Sequence, residues 1–182
     1  IILRQCDLAL NNLNPLFVHL NLHTEHALVD SVIRTSALVK QLQQLGQPAV
    51  AVTDHSNVFG LVRFFKACEK GGIKPIAGAE ILLEDSDPKL PPARLQVLCQ
   101  HNDGYRNLCR LLSRAYLQGQ EQGHPMVKRD WLCEFGDGLI LLSGGRWGDV
   151  GQALLANDEK QARQLIQNWR RDFPDRYYLE LT

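Results

Sequence analysis

Polar and titratable side chains gather at the points of this sequence where short apolar segments begin or end. They are His19, Asn21, His23, Asp30, the run Thr53–Asn57, Glu80, Arg94 and the run Ser143–Arg146. Imidazole and carboxylate groups suit Zn, Mn or Fe, and two such metals a few ångströms apart activate water and clamp a phosphate. If the apolar segments are strands of an α/β fold, these side chains meet at one rim of the sheet, where such folds keep their ligands. Taken alone, the pattern predicts an α/β domain that is a candidate hydrolase.

Each of these residues also has a structural interpretation. A single histidine at a strand end is more often hydrogen-bonded than metal-bound, Asp54 could cap the following helix, and Glu80 could be a solvated or salt-bridged carboxylate. The run Ser143–Gly145 is more typical of a tight strand-to-helix turn than of a phosphate loop, because glycine tolerates positive φ. Two ligands in an H-x-H pair share one face of a strand, but here Asn21 holds the first position and is a poor ligand for a transition metal.

The elements that must position these residues follow from hydrophobic periodicity. Strands are predicted over residues 18–22, 49–53, 74–83, 95–99, 139–143 and 177–181. Helices are predicted over residues 37–45 with Ser36 as N-cap, 58–70, 105–117, 159–171 and a stretch that follows Gly144 and Gly145, with loops at 85–92 and 118–128. The alternation predicts an α/β protein with parallel strands and right-handed crossovers, and both an open doubly wound sheet and a barrel fit this pattern.

Composition limits the classes of protein that this chain can represent. Of its 182 residues, 45% are apolar and 22% are charged, which is the mix of a globular domain or part of one. The 20 basic and 20 acidic residues give no net charge, so a broad electrostatic grip on nucleic acid or anionic membrane is not expected. No apolar run approaches the roughly 18 residues of a membrane helix.

The cysteines and the chain ends add two expectations. The five cysteines, none of them at C-x-x-C spacing, predict neither a disulfide framework nor a zinc knuckle, and favour a reducing, cytoplasmic setting. The chain starts at Ile1 and has its only methionine at Met126. It also ends inside or just after a predicted strand, and we therefore expect it to be a piece of a longer protein.

Six motifs in order carry a family resemblance. They are FVHLNLHT at residues 17–24, LVD at 28–30, AVTDHSN at 51–57, GIKPIAGAE at 72–80, NDGYRNL at 102–108 and GLILLSGG at 138–145. Together they resemble the polymerase and histidinol phosphatase (PHP) domain, and in particular the one that opens the alpha subunits of bacterial replicative DNA polymerase III. The resemblance runs from about residue 17 to the last residue.

The resemblance implies a fold and a domain organisation. The fold would be α/β, a distorted (β/α)7 barrel of the PHP type that is truncated at its C-terminal end. Residues 1–15 would be an N-terminal leader and residues 16–182 an incomplete PHP domain. The parent chain would be a DNA-directed DNA polymerase, a nucleotidyltransferase of DNA replication. Its Mg-binding catalytic carboxylates, and the last Asp-x-His metal motif of the family, would lie beyond residue 182.

The resemblance also implies that the family's metal cluster is only partly present here. Ligand positions are matched by His23, Asp30, His55 and Glu80. Ligand positions are lost at Asn21, Arg94 and Gly145, while His19 and Asp54 are candidates to support the ligands. Arg94 is the most adverse of these replacements, because its guanidinium keeps its charge and would lie near the metals. We expect no metal or one weakly held divalent ion, with Zn or Mn bound only if the site survives, and no catalytic residue in this segment.

The resemblance implies a scaffold role in which the domain docks the proofreading exonuclease subunit of the polymerase. Other replisome subunits and DNA would bind through absent parts of the chain, and no membrane partner is expected. One alternative is a residual metal-dependent phosphoesterase or 3′–5′ exonuclease that uses the four matched ligands. Another is a purely structural cluster in which His23, Asp54 and His55 bond to one another. We also expect a salt bridge from Arg94 to Glu80 in place of the metal, worth ~3–5 kcal/mol if buried.

Overall fold

The computed structural model describes residues 17–28, 30–84 and 91–181. The strands of this part of the chain are β1 (Ala49–Val52), β2 (Lys74–Leu83), β3 (Ala93–Cys99), β4 (Gln120–Glu121), β5 (His124–Val127), β6 (Leu139–Leu142) and β7 (Tyr177–Tyr178). The helices are α1 (Thr35–Gln44), α2 (Leu61–Gly71), α3 (Asn102–Gln118), α4 (Arg129–Glu134), α5 (Asp149–Leu155) and α6 (Glu159–Asp172), with short 3-10 helices at Glu25–Ala27 and Gly145–Trp147. The predicted leader, and most of the predicted loop at 85–92, lie outside the described residues and stay predictions.

Helix α2 shows how the local sequence produces an element. Leu61, Phe64 and Cys68 are buried and recur three and four positions apart, so one face of the helix packs against the sheet. Gly72 ends the helix with a left-handed backbone at φ 68°, which a residue with a side chain adopts less readily. None of the helices in the described ranges combines the length and hydropathy needed to cross a bilayer.

Helix α1 begins earlier than the sequence predicts, and Ser36 is not its N-cap. Arg34 holds that position without a side-chain capping bond, and Ser36 lies in the first turn. The buried face explains the difference, because it already includes Thr35 together with Leu38, Val39 and Leu42. Hydrophobic periodicity locates the helix, but it counts only apolar residues and so leaves out Thr35, which lies on the buried face.

The prediction of an all-parallel sheet is wrong for β3. Strands β1 and β5 run parallel to β2, and β7 runs parallel to β6, but β3 is antiparallel to both β2 and β6. The connection between β2 and β3 is residues 84–92, too short for a parallel crossover, which needs about a dozen residues or more. The amino end of β3 therefore lies at the same rim as the carboxyl ends of β1 and β6.

The predicted α/β class is confirmed, and the barrel takes the form of an open, curled sheet. Strand order runs β4-β5-β2-β3-β6-β7, with β1 paired to the first half of β2. The segment before β1 continues the sheet beyond β1 through the bridge between His19 and Val50. Across the remaining gap, Asn21 Nδ2 donates a hydrogen bond to Glu180 Oε1 at 3.1 Å. The two edges of the sheet thus approach each other through side chains.

Three further predicted elements differ substantially from the structure. The strand predicted at 18–22 is reduced to two backbone bonds, from Ala51 N to His19 O and from Thr53 N to Leu22 O. Between these two bonds the chain advances two residues from Ala51 but three residues from His19. The extra residue is a bulge that interrupts the alternation of side chains in this segment. The last strand is only Tyr177–Tyr178, and the loop predicted at 118–128 contains the hairpin of β4 and β5.

The sheet has two apolar faces. The main core lies between its outer face and the helices, and includes Phe64, Leu108 and Trp169, each fully buried. On the inner face a smaller cluster of Ala51, Leu98 and Leu142 is buried. An apolar cavity of about 640 Å³ adjoins this cluster, bordered by residues 17–21 and 178–181.

Helices α5 and α6 are joined by a buried polar contact. The carboxylate of Asp149 accepts hydrogen bonds from Trp169 Nε1 at 2.7 Å and from the Val150 amide at 2.8 Å. The Trp169 ring stacks on Tyr177 with their centroids 5.8 Å apart. Burial raises the pKa of Asp149 above its ordinary value of 3.8, although these hydrogen bonds oppose the shift.

This pKa shift predicts a pH dependence of stability. Between pH 3.8 and the raised pKa of Asp149, the folded chain binds more protons than the unfolded chain. Its free energy of unfolding should therefore fall as pH rises through this window. Asp149→Asn should flatten that slope in denaturant unfolding, because Asn does not titrate. Asn also keeps an acceptor for Trp169, so the contact itself can be retained. Asp130→Asn removes an exposed carboxylate and is the control; the same slope in wild type and Asp149→Asn would contradict the expectation.

Candidate functional site

Four side chains converge on the carboxylate of Glu80, and we call this group the Glu80 cluster. His55 Nδ1 lies 3.0 Å from Oε1, and Arg94 Nη1 donates to the same oxygen at 3.3 Å. Gln96 Nε2 donates to Oε2 at 3.0 Å, and His23 Nε2 lies 3.8 Å from that oxygen. The Glu80 side chain is only 5% exposed, so the cluster surrounds a buried acid.

Three neighbouring stretches of backbone bring the cluster together. The chain leaving β1 stays beside β2, where His55 forms a bridge with Glu80 and the Ser56 amide donates to the Glu80 carbonyl oxygen at 2.7 Å. On the other edge of β2, Gln96 of β3 lies directly opposite Glu80. Arg94 lies two residues before Gln96 and thus on the same face of β3. Glu80 itself lies within β2 and not at its end, contrary to the sequence prediction.

The histidine side of the cluster is braced by two acids. His23 Nδ1 lies 2.8 Å from Asp30 Oδ2. Asp54 is buried and accepts hydrogen bonds from the Thr24 amide at 2.6 Å and from the Thr24 hydroxyl at 2.8 Å. Asp54 therefore fixes the residue that follows His23. It bonds neither to His23 nor to His55, so the predicted mutual bonding of these three residues is wrong, and it does not cap α2.

Two other predicted positions lie outside the cluster. Asn21 accepts a hydrogen bond from the Thr53 hydroxyl at 3.2 Å and donates to Glu180, so its amide is directed away from His23 and its partners. His19 packs edge-on against Phe17 with centroids 4.7 Å apart and borders the inner-face cavity. The prediction that His19 supports the metal ligands remains untested by this placement.

The turn after β6 has the tight form that its glycines predict. Gly144 and Gly145 have φ values of 73° and 53°. A Cβ on Gly144 would overlap the carbonyl oxygen of Arg94, so only glycine lets this turn pack on the start of β3. The guanidinium of Arg94 also lies 5.8 Å from the ring centroid of Trp147, just beyond the turn. This packing holds Arg94 beside Glu80.

Sequence reasoning missed Gln96 and Trp147 as parts of this site. A signal for Gln96 was present, because it alternates with Arg94 on a strand whose other residues are apolar. Its Nε2 is bonded to Glu80, while its Oε1 is buried with no hydrogen-bond partner among the described residues. No sequence pattern pointed to Trp147, whose position depends on the turn.

The donor set does not fit the divalent metal that the family resemblance implies. Arg94 and Gln96 direct N–H groups at the two oxygens of Glu80, where a metal would otherwise bind the carboxylate. His23 Nε2 is buried without a hydrogen-bond partner in the described residues. Its lone pair is available to a metal, but the charged guanidinium of Arg94 is bonded to the neighbouring Glu80 carboxylate. Within the described ranges no group of three or more His, Cys, Asp or Glu side chains is placed to hold a metal ion.

Comparison with known proteins shows where this arrangement belongs. The family model for the PHP domain matches residues 19–182. The chain belongs to the PHP domain family. The resemblance seen in the six motifs is thereby confirmed.

The similar curated proteins are much longer than this PHP domain. The DNA polymerase III subunit alpha of Pseudomonas fluorescens is 45% identical over 165 residues, and that of Escherichia coli strain K12 is 44% identical over 167 residues. The alignments cover 91% and 92% of this chain but 14% of each relative. The chain therefore spans about a seventh of the length of these relatives.

One solved structure in the comparison comes from Bifidobacterium adolescentis, and its name places it with metal-dependent phosphoesterases. It matches this PHP domain with a TM-score of 0.48 and 14% sequence identity. The match covers 85% of this chain and 82% of that one.

Arg94→Ala should lower the free energy of unfolding by about 1–2 kcal/mol, because it removes a charged donor from a buried carboxylate. This is less than the ~3–5 kcal/mol for a fully buried pair, since 42% of the Arg94 side chain is exposed. A double-mutant cycle with Glu80→Gln in denaturant unfolding measures the coupling.

Arg106→Ala is the matched control for that cycle. It breaks an ion pair with Asp103 in which the two side chains are 70% and 69% exposed, so we expect a loss below about 0.5 kcal/mol. Equal losses for the two arginine variants, or zero coupling between Arg94 and Glu80, would show that the contact does not stabilise the fold.

Proposed function

We propose that this PHP domain is a non-catalytic scaffold of a bacterial DNA polymerase III alpha subunit. The observation that carries the proposal is the state of Glu80, whose carboxylate is bonded by a guanidinium and an amide. Both groups supply N–H donors and neither supplies a lone pair to a metal. The charge that a metal would provide in a PHP phosphoesterase is here supplied by Arg94, which cannot activate water.

Nucleotidyl transfer would then be carried out elsewhere in the parent polymerase. The similarity to alpha subunits supports a DNA-directed DNA polymerase of chromosome replication, with Mg bound at carboxylates outside residues 1–182. A cytoplasmic location and a partnership with other replisome subunits and DNA belong to the same proposal. In it, the first 15 residues are a leader and the rest is part of the PHP domain.

The partner proposed for this domain is the proofreading exonuclease subunit. A domain that keeps the PHP fold without its metal chemistry is retained for its surface, and a polymerase without its own 3′–5′ hydrolysis needs that activity from a second chain. The described residues present a folded surface of six helices around a curled sheet. The docking role would depend on this surface and not on His55 or Glu80.

Metal analysis and a nuclease assay test the absence of catalysis. Purified chain, loaded with Mn or Zn and then passed through a desalting column, should retain less than one metal per chain and release no nucleotide from the 3′ end of a primer. His55→Ala is the matched variant and should behave like wild type. Stoichiometric metal together with hydrolysis that His55→Ala abolishes would replace the scaffold by a residual phosphoesterase or exonuclease.

A binding experiment tests the docking role separately. The proofreading exonuclease subunit should form a stable complex with the chain in size-exclusion chromatography, and its affinity should not change with EDTA or with His55→Ala. This is expected because the surface is proposed to act through the fold alone. Failure to bind, or binding that EDTA abolishes, would contradict it.

A further inference from the structure

A second polar site lies between the start of α1 and the outer side of α2, and we call it the α1 cavity. Its volume is about 340 Å³. It is lined by Glu25, Arg34, Thr35, Ser36, Arg63 and Ala67. It shares no residue with the Glu80 cluster, so its role does not depend on the proposed scaffold function.

The amino end of α1 supplies backbone donors to this cavity. The N-cap residue Arg34 makes no side-chain capping bond. The first amides of the helix, at Thr35, Ser36 and Ala37, have no hydrogen-bond acceptor among the described residues. Uncapped amides together with the positive end of the helix dipole form a site that favours anions.

Thr35 provides an independent sign of a missing ligand. It is 2% exposed, it lines the cavity, and its Oγ1 has no hydrogen-bond partner in the described part of the chain. A buried hydroxyl without a partner costs about 1–3 kcal/mol, so such groups are uncommon in folded proteins. Because Thr35 lines the cavity, an acceptor bound there at the head of α1 would satisfy this hydroxyl.

The charges at the cavity favour an anion. No described carboxylate forms an ion pair with Arg63, and Arg34 Nε lies 3.9 Å from Glu25 Oε2, a long contact between exposed groups. Glu25 offsets one of the two arginines, which leaves a net charge of +1 beside the helix end. Arginine recognises phosphate with several parallel N–H groups.

We propose that the α1 cavity binds a phosphate group, either as free inorganic phosphate or as a phosphodiester of DNA. The oxygens of the phosphate would accept from the first amides of α1, from the Thr35 hydroxyl and from Arg63. A phosphate presents enough acceptors to satisfy these converging donors at once, which a chloride ion does not.

Nuclear magnetic resonance of the labelled chain tests the site. Titration with inorganic phosphate should shift the amide signals of Thr35, Ser36 and Ala37, while sodium chloride at the same ionic strength should not. Arg63→Ala should weaken phosphate binding about fivefold. Arg170→Ala removes an exposed arginine of α6 and should leave the affinity unchanged. No shift at the three amides, or equal effects of the two variants, would overturn the proposal.

Thr35→Val separates ligand binding from folding. Valine keeps the shape and removes only the unpartnered hydroxyl, so stability without phosphate should be unchanged or higher. Phosphate affinity should fall about tenfold and return with Thr35→Ser. Loss of stability without any change in affinity would mean that the hydroxyl is structural, and the proposal would be wrong.

An oligodeoxynucleotide without terminal phosphates distinguishes the two sources. If it shifts the same amides and phosphate displaces it, the site accepts a phosphodiester. If only inorganic phosphate produces the shifts, the site takes the free ion. Either result supports the phosphate site. If neither the oligodeoxynucleotide nor inorganic phosphate shifts these amide signals, the proposal is rejected.

Discussion

The buried carboxylate of Glu80, within strand β2, is the constraint on which the arrangement of the Glu80 cluster depends. Charge of that kind is tolerated only where donors surround it, and the fold delivers them from both edges of β2. His55 arrives from the chain that leaves β1, and Gln96 and Arg94 arrive from β3. The rim is thus a charge-compensated part of the core as well as a candidate site.

The direction of β3 decides which residues take part. In an all-parallel sheet the start of β3 would lie at the opposite rim, and Arg94 would be far from Glu80. The short connection after β2 forces the antiparallel arrangement, which brings Arg94 to the carboxyl ends of its neighbours. The turn at Gly144 then packs on the Arg94 backbone, and Trp147 lies over its guanidinium. A change of strand direction therefore places a permanent cation beside the carboxylate of Glu80.

Two separate charge patterns emerge in a chain without net charge. At the Glu80 cluster a buried anion is surrounded by donors and is satisfied within the chain. At the α1 cavity the opposite holds: the first amides of α1 and the Thr35 hydroxyl have no acceptor, and Arg63 has no ion-pair partner, among the described residues. The first pattern is a completed interaction and the second is an incomplete one. The net charge cannot distinguish them, because it averages over groups that lie on different elements.

From the sequence alone the α/β class, most helices and strands, and the convergence of His23, His55 and Glu80 could be predicted, because periodicity and motif residues report local structure and family. The partners of Asp54 could not, since its bonds to Thr24 depend on how two distant segments pack. Hydrophobic periodicity also could not predict the direction of β3 or the open, curled sheet. The short connection after β2 does favour an antiparallel pair, but periodicity takes no account of connection length. Local pattern determines which elements form, whereas hydrogen bonding between elements far apart in sequence decides which side chains meet.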